Sequence, residues 1–244
     1  MQKLEANNVF YKKENQILSD FSFSFDEHLY GILSDQQEEN SNVLKVLAGL
    51  REPDQGNILL DGKNVYTTFQ KKERAIRKQI GFVFQYGGLL SNLSVLENLL
   101  VPYDFHFPEI SLGEKKGKIS GFMALFGLSE KILNERPAKL TISARKALLF
   151  IRTYLTEPKI IFYDDPFINC NLQIKKTILQ LILKLKEKQI IQIFCESIDE
   201  QLYELADKVI LLQQGKLYSS NTFKEFKKSN SEFVTGLISK LLAE

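Results

Sequence analysis

The side chains best placed for chemistry in this sequence lie where apolar runs end or begin. The run KIIFYDD ends in two neighbouring carboxylates, Asp164 and Asp165. A carboxylate can act as a base, and the alternative is ordinary polarity at the end of a strand. An apolar helical run begins near Ser41, directly after the polar loop SDQQEEN. A helix N-terminus attracts anions because it offers about half a positive charge. The segment 35–40, however, carries three carboxylates and no cation, which opposes the binding of a phosphate.

The elements that position these residues alternate between strands and helices. Strands are predicted for the runs KLEANNVFY, ILSDFSFSF, LYGIL, NILLDGKNV (with an Asp-Gly turn), KQIGFVFQ, KIIFYDD, IIQIFCE and VILLQQGKL. Helices are predicted from near Ser41, through the irregular middle at 91–157, and over Leu172–Lys188, where apolar residues recur at helical spacing. Strands that alternate with helices predict an α/β fold with a mainly parallel sheet and crossover helices.

The bulk composition is that of an ordinary globular domain. The 244 residues are 44% hydrophobic and 25% charged, and they suffice for one large α/β domain. Acids and bases are mixed throughout and the net charge is +2, so no nucleic-acid partner is expected. No apolar run is long enough for a membrane span, and the N-terminus lacks a signal-peptide core, so we expect a cytoplasmic protein. Cys170 and Cys195 provide no Cys-x-x-Cys pair, and two reduced thiols are expected.

A series of motifs resembles the ATP-binding subunits of ABC transporters over most of the chain. The loop and helix after LYGIL are followed by PDQGNILLDGK at Pro53–Lys63, IGFVFQ ending at Gln85, EPKIIFYDDP at Glu157–Pro166 and LADKVILLQQGKL at Leu205–Leu217. The resemblance implies a P-loop NTPase (RecA-like) core of ABC type, an antiparallel β subdomain and an inserted helical subdomain. It implies one nucleotide-binding domain over 1–244, with the core and β subdomain at 1–90 and 158–217, the helical signature subdomain at 91–157 and a C-terminal helical tail at 218–244.

In that family the loop G-x-x-G-x-G-K-[ST]-[ST] holds the nucleotide phosphates through backbone N–H groups and the Lys. The aligned positions here are Ser34, Gln37, Glu39, Asn40, Ser41 and Asn42. All three glycine positions carry side chains, the Lys is Asn40, and only Ser41 keeps the hydroxyl that would contact Mg²⁺. The formal charge over 35–40 is −3 instead of the +1 of a typical loop. A carboxylate about 5 Å from a phosphate charge costs about 3 kcal/mol at an effective dielectric of about 20, an upper bound if the acids turn outward. We therefore expect a surface loop that does not bind phosphate.

The signature motif of the family, LSGGQ, contacts the γ-phosphate held by the opposite subunit. It aligns here with Leu140, Thr141, Ile142, Ser143 and Ala144. Thr141 could replace the Ser of the motif. Ile142, however, stands where a glycine lets the backbone approach the phosphate, and its β-branched side chain blocks that approach. The resemblance therefore implies a retained helix and a lost contact surface.

The resemblance also assigns roles to polar residues at the strand ends. Asp164 takes the position that binds Mg²⁺ through water, and Asp165 takes that of the catalytic Glu, one methylene shorter. Ser197 aligns with the switch His and cannot exchange a proton as imidazole does. Asn171 aligns with the Asp of the D-loop. No intact catalytic residue is therefore expected.

Two further positions keep the residue type of the family. Gln85 would sense Mg²⁺ and leads into the segment that faces the membrane partner. With Ser41 and Asp164 it completes the remnants of an Mg²⁺ site. Tyr11 lies near the aromatic residue that stacks on adenine, and an ordinary tyrosine at a strand edge is the alternative.

The sequence therefore predicts a degenerate, non-catalytic ABC transporter subunit with no expected cofactor. It would dock on an integral membrane permease, at the inner face of the cell membrane, and pair with a second nucleotide-binding domain as a homo- or heterodimer. One alternative is a weak but genuine ATP-hydrolysing subunit that uses ATP and Mg²⁺ with Ser41, Asp164 and Asp165. Another is a free-standing regulatory or binding protein that keeps the fold. The run YGGLLSNLSVLENLLVP after Gln85 and the ending SNSEFVTGLISKLL both resemble the ATPases of MCE-type lipid transporters and suggest lipid transport.

Overall fold

The computed structural model of the chain describes residues 3–14, 16–36, 39–66, 75–196 and 199–242. The strands in these ranges are β1 (Leu4–Lys12), β2 (Gln16–Phe25), β3 (Leu29–Ser34), β4 (Gln55–Leu60), β5 (Lys63–Asn64), β6 (Ile80–Val83), β7 (Ile160–Asp164), β8 (Ile191–Cys195), β9 (Lys208–Gln213) and β10 (Lys216–Asn221). They form a four-stranded sheet in the order β2-β1-β4-β5 and a six-stranded sheet in the order β10-β9-β3-β8-β7-β6.

The helices lie between these strands and cover the larger sheet. They are α1 (Asn40–Leu47), α2 (Val95–His106), α3 (Leu112–Leu125), α4 (Ile142–Tyr154), α5 (Leu172–Glu187), α6 (Gln201–Leu205), α7 (Phe223–Phe226) and α8 (Glu232–Leu242). The predicted α/β fold is confirmed. The middle of the chain is helical, and α2 and α3 each begin with a capping box that stabilises their first turn, built by Ser94 with Glu97 and by Ser111 with Glu114. No helix of the described residues is long and apolar enough to cross a membrane.

The larger sheet brings four loops to one edge. Strands β3, β6, β7, β8 and β9 are parallel, and only β10 runs antiparallel to its neighbour. Every residue of β3, β7 and β8 is buried, since an apolar cluster packs on each face of the sheet. The carboxyl ends of parallel strands meet at the same edge. The loops after Ser34, Val83, Asp164 and Cys195 therefore lie together.

The smaller sheet is antiparallel and packs beside the first helix. Period-two alternation in β2 buries Phe21 and Phe25 completely. The predicted Asp-Gly turn joins β4 to β5, with a φ of +50° at Asp61. Gly56 is held at a φ of +86°, and a Cβ there would lie 2.3 Å from the Asn8 carbonyl oxygen. Only glycine fits that crossing of β1 and β4.

The C-terminal tail begins with a strand, whereas a helical tail was expected from residue 218. Gln214 and Gly215 both have positive φ, +49° and +76°, and form a tight turn that carries the chain back along β9. Residues 218–221 therefore extend the larger sheet as part of β10. The helices of the tail are α7 and α8, and the buried face of α8 packs on the main core cluster through Val234, Leu237, Ile238 and Leu241.

Candidate functional site

The start of α1 and the end of β7 meet at a hydroxyl, a carboxylate and an ammonium group. Ser41 Oγ donates to Asp164 Oδ2 at 2.6 Å, and Lys45 Nζ, one helical turn further on, donates to Ser41 Oγ at 2.6 Å. The ammonium nitrogen also lies 4.0 Å from Asp164 Oδ2. Burial raises the pKa of the Cys195 thiol well above its ordinary value, so the thiol stays protonated and donates to Asp164 Oδ1 at 3.5 Å. Asp164 is only 2% exposed, but each of its oxygens has a donor and a cation lies beside it.

The neighbouring carboxylate, Asp165, joins the ends of three strands. Its φ is +44°, a conformation that is costly for a residue with a side chain. Its backbone N–H donates to the Cys195 carbonyl at 3.0 Å, and its Oδ2 accepts from Gln85 Nε2 at 2.7 Å. Four polar residues of the predicted site, Ser41, Gln85, Asp164 and Asp165, therefore lie at one edge of the sheet.

A second ammonium group lies beneath these carboxylates. Lys146 on α4 is 3% exposed, and its Nζ donates to the carbonyl oxygens of Asp165 at 2.8 Å, Phe84 at 3.1 Å and Asp164 at 3.5 Å. Burial lowers the pKa of Lys146, and the negative groups around it oppose part of that shift. The helix is thus attached to the ends of β6 and β7 through a buried cation.

A third acid, Glu196, follows β8 and is 2% exposed. Its Oε2 accepts from the backbone N–H of Phe167 at 3.0 Å. The hydroxyl of Tyr203 accepts from the Glu196 N–H at 3.1 Å and lies 2.9 Å from the Glu196 carbonyl and 3.1 Å from the Ile32 carbonyl, to which it can donate. These bonds fix the loops after β7 and β8 against each other.

The side chains of the predicted phosphate loop bond to one another and to nearby turns. Ser34 Oγ donates to Asn40 Oδ1 at 2.7 Å, and Asn42 Nδ2 donates to Glu39 Oε2 at 2.6 Å. Ser34 and Asn40 are both buried, 5% and 6% exposed. Gln37, another predicted site residue, lies outside the described part of the chain, as does Glu38.

Of the predicted loop acids, Asp35 is bonded to the turn between β9 and β10. Its two carboxylate oxygens accept from the backbone N–H of Gln214, each at 3.1 Å. These bonds hold its carboxylate at the β9–β10 turn.

The residues of the predicted signature motif form the start of α4. Thr141 is the N-cap and accepts from the Ala144 N–H at 3.2 Å, and Ser143 Oγ accepts from the Asn171 N–H at 2.8 Å. Ile142, between them, is 55% exposed. Both hydroxyls thus already have backbone partners, and an apolar side chain points outward.

One further predicted residue, Tyr11, lies apart from this cluster. Tyr11 is 8% exposed within the core of the smaller sheet, and its hydroxyl accepts from Arg51 Nη1 at 3.0 Å. Its buried ring favours the interpretation of an ordinary strand tyrosine. Ser197 lies outside the described residues. Cys170 and Cys195 are free thiols.

Sequence reasoning missed Lys45, Lys146 and Glu196. Each had a weak signal: Lys45 is four residues after Ser41 and so shares its helix face. Lys146 lies four residues before the buried Phe150 on α4, and Glu196 follows its strand as Asp165 follows β7. Within the described parts of the chain, no three His, Cys, Asp or Glu side chains are arranged to hold a metal ion.

Comparison with known proteins gives a consistent result. Residues 40–168 match the family described as ABC transporter. The chain is 30% identical over 212 residues to a probable sulfate/thiosulfate import ATP-binding protein of Chlorella vulgaris, covering 86% of each chain. It is 26% identical over 212 residues to a methionine import ATP-binding protein of Enterococcus faecalis, covering 86% of this chain but 59% of that protein.

Solved structures share the fold. A dimeric ATP-binding cassette in a post-hydrolysis state, bound to ADP and Pi, superimposes with a TM-score of 0.80 at 22% identity, covering 90% of this chain and 98% of that one. A nucleotide-free ATP-binding cassette from an ABC transporter gives a TM-score of 0.72 at 19% identity, covering 98% and 96%. With the family match and the 30% identical relative, the chain belongs to the ABC transporter family and has the fold of its ATP-binding domains.

Proposed function

We propose that this chain is a non-catalytic ATP-binding-type subunit of an ABC transporter, which docks on a membrane permease and pairs with a second nucleotide-binding domain. The observation that carries the proposal is the bonding of the loop before α1. Ser34 with Asn40, and Glu39 with Asn42, are paired with each other at the positions where the family's loop would hold phosphate.

A phosphate cradle requires backbone N–H groups that can approach the ligand and a cation that meets it. At this loop the side chain of Ser34 is buried against Asn40, and Asn40 supplies no charge. Glu39 is the N-cap residue of α1, so its carboxylate belongs to the helix N-terminus, where the helix dipole would otherwise stabilise a phosphate. ATP and Mg²⁺ therefore do not fit this loop, and the proposal assigns no chemical step to them.

Pairing with a second domain is supported by exposed apolar residues around the predicted signature motif. Ile142 is 55% exposed and Leu172 is 68% exposed. The two flank the contact between Ser143 and Asn171, which holds α4 against the start of α5. Exposed side chains of this size at one place are typical of protein–protein contact surfaces.

Docking on a permease is supported by a second group of exposed apolar residues, on the segment after Gln85 and on α2. The group comprises Tyr86 (64% exposed), Leu90 (44%), Val101 (44%) and Phe105 (53%). Asn98 fixes this segment on α2, because its side chain donates to the Leu90 carbonyl at 3.0 Å and accepts from the Leu90 N–H at 2.7 Å.

The loss of nucleotide binding can be tested by titrating the purified chain with Mg-ATP in a calorimeter. We expect no binding up to millimolar nucleotide, whereas micromolar affinity would overturn this part of the proposal. The variant Asn40→Lys restores the missing ammonium alone. We expect it to bind no better, because the side chains at 34 and 39 still prevent the approach of the backbone.

Docking can be tested by co-purification with the permease, with Leu90→Ser as the interface variant. Leu217→Ser is the matched control, since Leu217 is similarly exposed (38%) on β10. Loss of the membrane protein with Leu90→Ser and retention with Leu217→Ser is the expected result. If no integral membrane protein co-purifies with the wild-type chain, the chain acts as a free-standing protein and the proposal fails.

The cargo is a finer question. The relatives above are named for import of sulfate or thiosulfate and of methionine, which favours a solute importer. Lipid transport stays a prediction that rests on the run after Gln85 and on the C-terminal ending. Transport assays with cells lacking this chain, supplied with each solute class, would separate the two.

A weak but genuine ATPase is the second candidate function. The observation in its favour is the convergence of Ser41, Gln85, Asp164 and Asp165 at one edge of the sheet. Under this hypothesis the chain shows a slow turnover that Asp165→Asn abolishes. A turnover unchanged by Asp165→Asn would mean contamination by another ATPase.

A further inference from the structure

We propose that the ammonium group of Lys45 takes the position of a divalent cation, so that this chain carries a permanent counter-ion at Ser41 and Asp164 and binds no Mg²⁺ there. In P-loop NTPases a Ser or Thr hydroxyl of the phosphate loop and an Asp at a strand end hold the Mg²⁺ ion together. Here those two groups are Ser41 and Asp164, and the cation that lies against them belongs to the chain. The inference deepens the proposed function and rests on it.

The partners of the Ser41 hydroxyl leave little capacity for a metal ion. A hydroxyl has one proton to donate and two lone pairs with which to accept. The proton goes to Asp164 Oδ2 and one lone pair accepts from Lys45 Nζ, both at 2.6 Å. An Mg²⁺ ion needs its oxygen ligands at about 2.0–2.1 Å in near-octahedral geometry. An ion bound to Ser41 Oγ would then lie within a few ångströms of the ammonium, and two positive charges at that separation repel each other.

The charge of Asp164 is already compensated without a metal. Its Oδ2 has the Ser41 hydroxyl and lies 4.0 Å from Lys45 Nζ, and its Oδ1 has the Cys195 thiol at 3.5 Å. The side chain is 3% exposed, so this compensation acts where water screens little. A carboxylate whose charge is already compensated gains less free energy from binding a divalent ion than a carboxylate without an adjacent cation.

The helix places Lys45 on the same face as Ser41. Residues four apart lie on the same helix face, which puts Lys45 directly over Ser41. The neighbours Leu44 and Val46 are fully buried, so α1 cannot rotate to carry the ammonium away. The Lys45 side chain itself is 25% exposed, so it reaches the site from the solvent edge.

The test measures Mn²⁺ binding to the purified chain without nucleotide, by the electron paramagnetic resonance signal of free Mn²⁺. Lys45→Met removes the ammonium and keeps the aliphatic stem. Lys176→Met, on the exposed face of α5, makes the same change in net charge away from the site. We expect no saturable binding by the wild type or by Lys176→Met. We expect one saturable Mn²⁺ site in Lys45→Met. Its affinity should exceed the upper limit measured for the wild type by on the order of tenfold or more, and the site should be lost when Asp164→Asn is added.

Two results would overturn the inference: saturable Mn²⁺ binding by the wild type that Asp164→Asn removes, or a Lys45→Met variant that binds no more tightly than the wild type. If Lys45→Met does not fold, Lys45→Gln replaces it, because the amide still donates to Ser41 but carries no charge. Failure of this inference and failure of the proposed function can be told apart. If the wild type binds Mn²⁺ but not ATP, only the role of Lys45 is refuted. If the wild type binds ATP but does not bind Mn²⁺ in the absence of nucleotide, only the proposed loss of nucleotide binding is refuted.

Discussion

The buried cation Lys146 offers the sharpest stability prediction: Lys146→Met should lower the free energy of unfolding by about 3 kcal/mol. Its Nζ donates to two carbonyl oxygens at short range, those of Asp165 at 2.8 Å and Phe84 at 3.1 Å. A hydrogen bond from a charged group contributes about 1.5–3 kcal/mol, so the two bonds contribute about 3–6 kcal/mol. Removing the ammonium also removes the cost of its burial, and the new methyl group adds about 0.8 kcal/mol of apolar burial. These terms offset part of the loss.

The assay is urea unfolding followed by far-ultraviolet circular dichroism at neutral pH, with Lys176→Met as the exposed-lysine control. We expect the control to lie within about 0.5 kcal/mol of the wild type. A Lys146→Met variant as stable as that control would refute the reasoning, because it would mean that the hydrogen bonds do not outweigh the burial of the charge.

The pH dependence provides a second measurement on the same pair of proteins. Burial lowers the pKa of Lys146 in the folded chain below its ordinary value of 10.5. The folded state therefore loses this proton at a lower pH than the unfolded state does. The loss of this proton therefore favours the folded state. This gain in the free energy of unfolding is fully present above pH 10.5 and is lost as the pH falls through the lowered pKa of Lys146 in the folded state. Between the folded-state pKa and pH 10.5, the difference in the free energy of unfolding between the wild type and Lys146→Met should widen as the pH rises. A difference that narrows would contradict a lowered pKa of Lys146.

Three further substitutions test other parts of the fold. Asn98→Ala removes a side chain that is 1% exposed and bonds the loop before α2, and chemical denaturation should show a loss of about 3 kcal/mol; an unchanged midpoint would mean that water replaces these bonds. Gly56→Ala forces a Cβ to within 2.3 Å of the Asn8 carbonyl oxygen at a φ of +86°. It should lower the melting temperature by several degrees or prevent folding, and a melting temperature equal to that of the wild type would contradict the steric argument. Tyr203→Phe deletes a buried hydroxyl that bonds both the N–H and the carbonyl of Glu196. It should cost about 1–3 kcal/mol, with amide hydrogen exchange accelerated at Glu196; unchanged protection there would contradict the assigned bonds.

The strands and main helices could be predicted because their sequence patterns are local. Phe21 and Phe25 alternate with polar residues and are both buried, and the apolar run before Asp164 is a fully buried strand. The tail was predicted less well, because the turn at Gln214 and Gly215 depends on two successive positive φ values. The residues after such a turn form a strand only if they pair with the strand before it, and here they pair with β9.

The partners within the site could not be predicted, because they depend on side-chain direction and on contacts distant in sequence. The bond from Asp35 to Gln214 spans 179 residues. The family resemblance predicted Asp164 and Ser41 in one site, and the two side chains are hydrogen-bonded to each other. It gave no indication that Lys45 would turn back to Ser41 rather than extend into solvent, because helical spacing fixes a face but leaves the rotamer open.

The bonding within the loop before α1 has a consequence for substitutions in this loop. Replacing Ser34 by glycine breaks the bond to Asn40, and replacing Glu39 by glycine breaks the bond to Asn42. Each single replacement removes about 1 kcal/mol of hydrogen bonding while the side chains at the other positions stay in place. A glycine-rich loop therefore cannot be reached from this one by single replacements that each leave the stability unchanged.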